Sequence, residues 1–408
     1  MTQALSQNAL ARSRGHALVN LEPTPFLPRL EALSMENDWY SWSGFKAPGS
    51  IDDEELEYFA IRSTVALFDI SPMTKYRIRG REAEAFLNRL TLRDVRKLKP
   101  GRVHYTAWCD DFGHVLDDGT LFRLGDQDFR LCSQERHLPW LLDSAVGFDV
   151  VIEDETTAMA GLALQGPTSF ALLSDAGFSG VERLKPFEIG SFPHAGRDVL
   201  ISRTGFTGDL GYELFCPSDL ALSLWDRLWE QADRHRLRAI GYHALNRTRI
   251  EAGFIVANAD FVTAETALRE DRLRLPDEIG LDWMVDLDKP NFNGRRAILA
   301  ARRDRTLKHV LVGLEIDGNT PAPLALIYHR KKKEAGLITA SVWSPLLKKT
   351  IAIASLRRPF GTEITGDLWA EIYALNELGY TKMMKRVKIA PRPFIKLPRR
   401  SATPPLLT

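Results

Sequence analysis

The residues of this sequence with the clearest chemical potential are the adjacent carboxylates Asp117-Asp118, Glu213 beside a glycine-rich loop, and Arg249 within Asn246-Arg247-Thr248-Arg249-Ile250-Glu251-Ala252-Gly253. Asp117 and Asp118 follow Gly113-His114-Val115-Leu116 in a strand pattern. Alternation sends their carboxylates to opposite faces, so one can face a pocket while its neighbour is expected in solvent. A surface turn is the competing reading of such a pair. Glu213 enters its strand from a loop with three glycines, and a carboxylate so placed can accept two parallel hydrogen bonds from a planar, amidine-like edge such as a pterin or guanine presents. An outward strand glutamate is the plainer alternative. Arg247 and Glu251 stand four apart, the spacing of a pair on a helix surface. Arg249 lies about 200° of helical rotation from Arg247, and between apolar neighbours it needs an anionic partner if it is buried.

A second group is aromatic. Trp39, Tyr40, Trp42 and Phe45 cluster near the N-terminus, and Trp108 follows a later strand pattern. Ring faces attract a desolvated cation by about 0.5 to 2 kcal/mol each, which makes an onium cage one reading and a hydrophobic lid the other. His104 and Tyr105 are candidate acids for a departing oxygen, with His104 also readable as an ordinary strand residue. Other chemistries lack their parts. The sequence has no GxGxxG after a strand, no GxxxxGK[ST], no HExxH and no GxSxG, and its nine histidines form no spaced ligand pair, so no metal site is expected.

The elements that must position these residues are those of a chain of 408 residues with 54 Lys+Arg against 53 Asp+Glu, a formal net charge of +1 and 44% hydrophobic residues. That length calls for two or three packed units. Near-neutral charge removes the argument for a nucleic-acid partner and leaves a small-molecule partner as the default. Cys109, Cys132 and Cys216 are too few and wrongly spaced for a disulfide framework or a zinc knuckle. No apolar run is long enough for a membrane helix, and a cytoplasmic location is expected. The segment Met1 to Leu21 contains Arg12 and Arg14 with no acid before Glu22; a frayed terminus is the preferred reading, a mitochondrial presequence the alternative.

Residues 1–38 read as irregular, with Pro23, Pro25 and Pro28, and order is expected from Trp39. Patterning predicts a helix over 54–63, strands at 66–70, 75–80, 103–107, 115–124 and 128–133, a strand into a turn at 162–167, and a helix over 168–175. Strands 199–203 and 212–215 form a predicted hairpin. Leu220, Leu224, Leu228 and Ala232 at fourfold spacing predict one amphipathic helix over 218–237, and a second covers 244–252 with Gly253 as its stop. Residues 305–395 read as a separate β-rich domain. The stretch 380–408 holds Lys382, Lys385, Arg386, Lys388, Arg392, Lys396, Arg399 and Arg400 with no acid, and its end, 396–408, reads as a solvated basic tail.

Taken together, Phe68-Asp69-Ile70-Ser71-Pro72-Met73, Gly113 to Asp118, Leu164-Gln165-Gly166-Pro167, Gly205 to Glu213, Arg249-Ile250-Glu251-Ala252-Gly253 and Glu278-Ile279-Gly280-Leu281-Asp282-Trp283 resemble the aminomethyltransferase (glycine-cleavage T-protein) superfamily. Asn291 to Ala297, Gly336-Leu337-Ile338-Thr339 and Ser344-Pro345 extend the resemblance. It implies an α+β, three-domain fold around a central tetrahydrofolate channel, with a folate-binding region of two interleaved domains over 39–300 and a C-terminal β-barrel-like domain. It also implies that Asp118 lies beside folate nitrogens 5 and 10, that Glu213 binds the pterin edge, that Arg249 lines the site, and that Met73, Tyr105 and Trp283 are pocket residues. Departures at Asn37 to Phe45, at Ser133-Gln134 and at Ile255 to Asp260 point toward the demethylase branches, similar to dimethylsulfoniopropionate demethylase. The expected activity is transfer of a methyl group from a small methylated donor, such as a betaine, a sulfonio-acid or a methoxy compound, to nitrogen 5 of tetrahydrofolate. Trp39, Tyr40, Trp42 and Trp108 are the candidate donor-binding residues, and Asp118 the candidate catalytic one. The alternatives are a glycine-cleavage aminomethyltransferase partnered by a lipoyl carrier protein and a non-catalytic folate-binding accessory protein.

Overall fold

The computed structural model describes residues 20–376 and 378–402. A mixed six-stranded sheet and an antiparallel five-stranded sheet face one another in the first three quarters of the chain. The six-stranded sheet runs Ile189–His194, Arg197–Ser202, Gly211–Pro217, Met159–Gln165, Val65–Asp69 and Leu237–Ala239 in spatial order. The five-stranded sheet runs Arg102–Cys109, Val115–Gly125, Asp128–Ser133, Thr74–Arg79 and Val151–Asp154, and its strands are inserted in sequence between Val65–Asp69 and Met159–Gln165. Phe68, Ala163 and Phe215 from one sheet meet Val103, Phe122 and Cys132 from the other in a single apolar cluster, with Phe122 set edge-on to Phe215. Burial of these inner faces is what presses the sheets together.

The third unit is a closed six-stranded barrel built from His309–Ile316, Lys349–Arg357, Lys333–Ser344, Leu326–His329, Leu368–Asn376 and Gly379–Ala390, where the short strand patterns predict a β-rich domain and the resemblance a barrel-like one. Leu311, Ala340, Ile351 and Ile353 of the barrel share a buried cluster with Ile250, Phe292 and Ile298. A buried polar network runs through the same junction. Arg62 donates to Glu251 at 2.6 and 3.0 Å, Tyr58 donates to the other oxygen of Glu251 at 2.7 Å, and the barrel residue Ser344 donates to that same oxygen. Glu251 therefore does not pair with Arg247 on a helix surface. Arg247 reaches Glu54 instead, because its face of the helix Tyr242–Glu251 meets the helix Glu54–Ser63.

Three further expectations need correction. The segment before Trp39 is ordered from residue 20: Glu22–Pro23 pairs with Phe45–Ser50, and the helix Leu27–Leu33 buries Leu27 and Leu30 beside Phe26, while 1–19 and the presequence question lie outside the described residues. The single helix over 218–237 is broken into Ala221–Trp229 and Ala232–His235, and ends where Arg236 turns to a φ of 52° so that Leu237–Ala239 can pair parallel with Val65–Asp69. The basic tail is docked as far as it is described. Gly379–Ala390 closes the barrel, the N–H groups of Phe394 and Ile395 donate to the Glu251 carbonyl, and Arg399 binds both oxygens of buried Asp209 at 2.5 and 2.8 Å. Arg399→Ala should lower the melting temperature by a few degrees and speed proteolysis near residue 391, because it leaves Asp209 short of a cation; limited proteolysis checks this.

Candidate active site

Strand register decides which acid faces the space between the sheets. In the antiparallel pair Arg102–Cys109 and Val115–Gly125, Tyr105 lies opposite Thr120, Ala107 opposite Asp118 and Trp108 opposite Asp117. Tyr105 and Asp118 thus share one face, and the Tyr105 hydroxyl donates to Asp118 Oδ2 at 2.6 Å. Burial and the charge of Asp117 push the Asp118 carboxyl well above the ordinary carboxylate range, against the opposing pull of the Tyr105 hydrogen bond. Burial and Asp118 in turn keep the Tyr105 phenol protonated far above its ordinary range. The pair therefore holds one carboxyl able to change charge near neutrality, beside a fixed donor.

Asp117 does not meet solvent. Its side chain is fully buried on the opposite face, where it accepts from the Asp118 N–H at 2.8 Å, the Glu135 N–H at 3.1 Å and the ring of His137 at 3.0 Å. The burial follows from the loop after Asp128–Ser133, which folds over that face of the sheet. Linear spacing gave no sign of His137, twenty positions away from its partner.

Glu213 sits on the facing sheet, opposite Ala163 and Ser202, and so on the same inner face as Phe215 and Phe68. Its Oε2 accepts from Thr204 at 2.6 Å, and burial raises its carboxyl above the usual range. Among the described residues no partner is recorded for Oε1. The loop 204–211 is wrapped around Gln165, whose amide donates to the carbonyls of Thr204 and Tyr212 while its oxygen accepts from Thr207. A Cβ at Gly205 or Gly211 would lie 2.0 or 2.2 Å from that side chain, which explains the glycines and makes Gln165 the loop's anchor. A carboxylate with one oxygen fixed and one uncommitted fits the planar amidine edge of a folate.

The remaining candidates divide. Met73 is half-buried against the cluster between the sheets, as are Trp42 and Phe206. Trp283 is 59% exposed, with Tyr105 6.2 Å away and the Arg93 guanidinium 5.6 Å from its ring, so it forms part of the mouth rather than the interior. Arg249 does find an anionic partner, and the partner is internal: its guanidinium pairs with buried Asp260 and also donates to the Phe254 carbonyl and to Asn246. Asp260 accepts in addition from Thr339 of the barrel at 2.6 Å. Arg249 thus ties the helix to the barrel behind the wall of the site.

The four aromatic residues do not gather into one cage. On the strand Asp38–Trp42, alternation puts Tyr40 and Trp42 on one face and Trp39 on the other. Trp39 is 4% exposed within the core beside the six-stranded sheet, and Trp108 is fully buried edge-on to the His137 ring. Tyr40 packs against Tyr242, and Trp42 stacks on Phe68 at 6.0 Å. Trp39→Ala should therefore cost about 3 kcal/mol of stability, read as a lowered urea midpoint, whereas Trp42→Leu should leave the midpoint nearly unchanged.

A cavity of about 1040 Å³ opens at the edge strand Arg102–Cys109, lined by Tyr105, Trp283 and the turn Ala252–Ile255. Its charged lining is Arg93, Lys97, Lys99, Arg102, Arg392 and Arg400 against Glu188 alone. Arg392 and Arg400 come from the docked C-terminal segment. His104 also lines it, and burial together with Arg93 and Arg102 pushes its ring down to about 4. A ring that is neutral at pH 7 is a poor general acid, which removes His104 from the proton-donor role.

Asp118 and Glu213 thus lie on the inner faces of two packed sheets, and a cavity with a cationic lining opens at the edge of one of them. Residues 34–289 match the GCVT N-terminal domain model. The chain is 36% identical over 311 residues to a protein named trimethylamine-oxide aldolase from Ruegeria pomeroyi, covering 73% of this chain and 38% of that one, so it spans well under half of that relative. It is 30% identical over 326 residues to an aminomethyltransferase from Chlorobaculum parvum, covering 78% and 86%, and 29% identical over 361 residues to one from Bacillus subtilis, covering 87% and 94%. The crystal structure of a glycine cleavage system aminomethyltransferase T from Bartonella henselae shares the fold at a TM-score of 0.80 and 24% identity, over 92% of this chain and 98% of that one. The chain belongs to the GCVT family, whose members are one-carbon transferases that work with tetrahydrofolate.

Proposed function

We propose that this protein moves a methyl group from a small methylated donor to nitrogen 5 of tetrahydrofolate. The observation that carries this reading is the Asp118–Tyr105 pair: a half-buried carboxyl of raised proton affinity, held by one hydrogen bond on the inner face of its sheet. Bound tetrahydrofolate supplies the nucleophilic nitrogen. Asp118 orients that nitrogen and, once ionised, stabilises the positive charge that develops there. Glu213 holds the pterin edge through its uncommitted oxygen, and Thr204 fixes the plane of the carboxylate. The cationic mouth suits the carboxylate end of the same molecule. Packed side chains around the inner faces exclude water, so the main task is alignment of donor and acceptor.

An onium donor leaves as a neutral molecule and needs no acid, which agrees with a neutral His104. The half-buried pair Tyr40–Tyr242 and the half-buried Trp42, stacked on buried Phe68, offer the aromatic faces left for such a donor once Trp39 and Trp108 are assigned to the core. The relative of highest identity among those described also carries a methylated amine oxide in its name. Trp42→Leu is expected to raise KM for an onium donor about tenfold with tetrahydrofolate affinity unchanged; equal kinetics for parent and variant would remove Trp42 from the donor site.

The second reading is a glycine-cleavage aminomethyltransferase, supported by relatives of that name aligned over 84 to 94% of their length. It requires a lipoyl carrier protein and releases ammonia. Incubation with an aminomethylated carrier and tetrahydrofolate, assayed for ammonia, separates the two.

A further inference from the structure

The face of the sheet opposite the site carries a cluster that the transfer reaction does not use directly. His137 lies between two carboxylates: Nε2 is 3.0 Å from Asp117 Oδ2 and Nδ1 is 2.9 Å from Glu265 Oε2. A carboxylate only accepts hydrogen bonds, and a neutral imidazole has one N–H to give, so satisfying both contacts takes a ring protonated on both nitrogens. The ring is locked in place. The backbone N–H of His137 donates to the Tyr76 hydroxyl at 2.9 Å, and Trp108 packs edge-on at 5.7 Å. Glu265 is half exposed and links the buried pair to solvent, whereas Asp117 and His137 are buried.

The other charged groups around the ring do not replace it. Glu135 approaches from the same loop, donates its N–H to Asp117, and adds further negative charge. Arg136 turns away to the Ser43 carbonyl and the Phe45 ring. On the far side of the sheet Asp118 faces Tyr105, with Asp260 and Arg392 nearby. His137 is thus the one basic side chain hydrogen-bonded to Asp117 among the described residues. Asp117 in turn accepts the backbone N–H of Asp118, so the same carboxylate that needs His137 also fixes the peptide carrying the site acid.

We propose that His137 is a positioning residue which, as an imidazolium clamped between Asp117 and Glu265, neutralises Asp117 and thereby sets the pH at which Asp118 ionises. Burial opposes the ring's charge, but the hydrogen bond and charge of Asp117, with those of Glu265, outweigh it and raise its proton affinity above the ordinary histidine value. Removing the imidazolium leaves Asp117 uncompensated beside Asp118. Asp118 then keeps its proton to higher pH. The effect on turnover rests on the proposed role of Asp118, whereas the charge of the ring does not.

The test has two parts. In protein labelled with nitrogen-15 histidine, the signals lost in His137→Asn identify the ring, and at pH 7 both of its nitrogens are expected to be protonated in the parent; a lone-pair nitrogen signal at pH 7 overturns the proposal. In the second part, the rising acid limb of turnover and of tetrahydrofolate binding is expected to move up by about one pH unit in His137→Asn. Glu265→Gln, at a half-exposed position that leaves the core intact, should move it in the same direction by less and serves if the first variant fails to fold. A limb that stays in place or moves down in a folded variant overturns the proposal. Failure of tetrahydrofolate to bind the parent would instead overturn the functional reading, and the nitrogen signals would still decide the state of His137.

Discussion

Asp118→Asn is expected to lower kcat by about 10² to 10³ with little change in fold. The amide keeps the shape and can still accept from Tyr105, but it cannot carry the negative charge that the proposed transfer requires. Stability should move the other way. The carboxyl has a folded-state proton affinity raised above its unfolded value. It therefore costs no stability below the ordinary carboxylate range, and costs progressively more as pH rises from there through its raised ionisation point. The asparagine variant escapes that cost, so at pH 8 its urea midpoint should equal or exceed the parent's. A variant with full turnover would remove Asp118 from the chemistry; one with a lowered midpoint would contradict the assignment of its raised proton affinity to burial.

The largest structural effect is expected from Glu251→Ala. This side chain is fully buried and accepts from Arg62, Tyr58 and Ser344, which come from the first helix of the sheet region and from the barrel. Deleting it leaves the Arg62 guanidinium, 3% exposed, with Asp209 at 3.3 Å as its remaining carboxylate. Breaking such a pair from one side costs about 3 to 5 kcal/mol. The backbone carbonyl at 251, which receives the N–H groups of Phe394 and Ile395, is retained in alanine, so the segment that carries Arg400 to the cavity keeps that anchor and the loss falls on the junction of helix and barrel. Scanning calorimetry should show a melting temperature lowered by about 10 °C. Ser344→Ala should cost about 1 kcal/mol, since Tyr58 and Arg62 still satisfy the carboxylate.

Local pattern was enough for the elements that dictate the site. Alternation in Val115–Gly125 separates Asp117 from Asp118, the hairpin of 199–203 with 212–215 forms, and the stretch after residue 305 is β-rich, whereas its closure into a barrel is legible only through the resemblance. What pattern could not supply was the identity of long-range partners. Arg249 calls for an anion, but only the fold brings Asp260 to it; alternation sends Asp117 to solvent because nothing near it in sequence points to His137, twenty positions away. The aromatic cluster shows the same limit from the other side. Trp39, Tyr40 and Trp42 are neighbours in sequence, yet a strand's period of two splits them between a core and the site region. The basic tail is a matter of composition, and composition carries no information about Asp209, the buried acid that holds Arg399.

One measurement addresses the direction and chemistry of the proposed transfer most directly. The protein is incubated with tetrahydrofolate and a panel of betaines, sulfonio-acids, methylglycines and methoxybenzoates carrying a labelled methyl group, and the folate products are separated. The prediction is label in 5-methyltetrahydrofolate with one donor class, at a rate reduced at least a hundredfold in Asp118→Asn. Label in no folate product, together with methylenetetrahydrofolate and ammonia formed from an aminomethylated carrier, would contradict it.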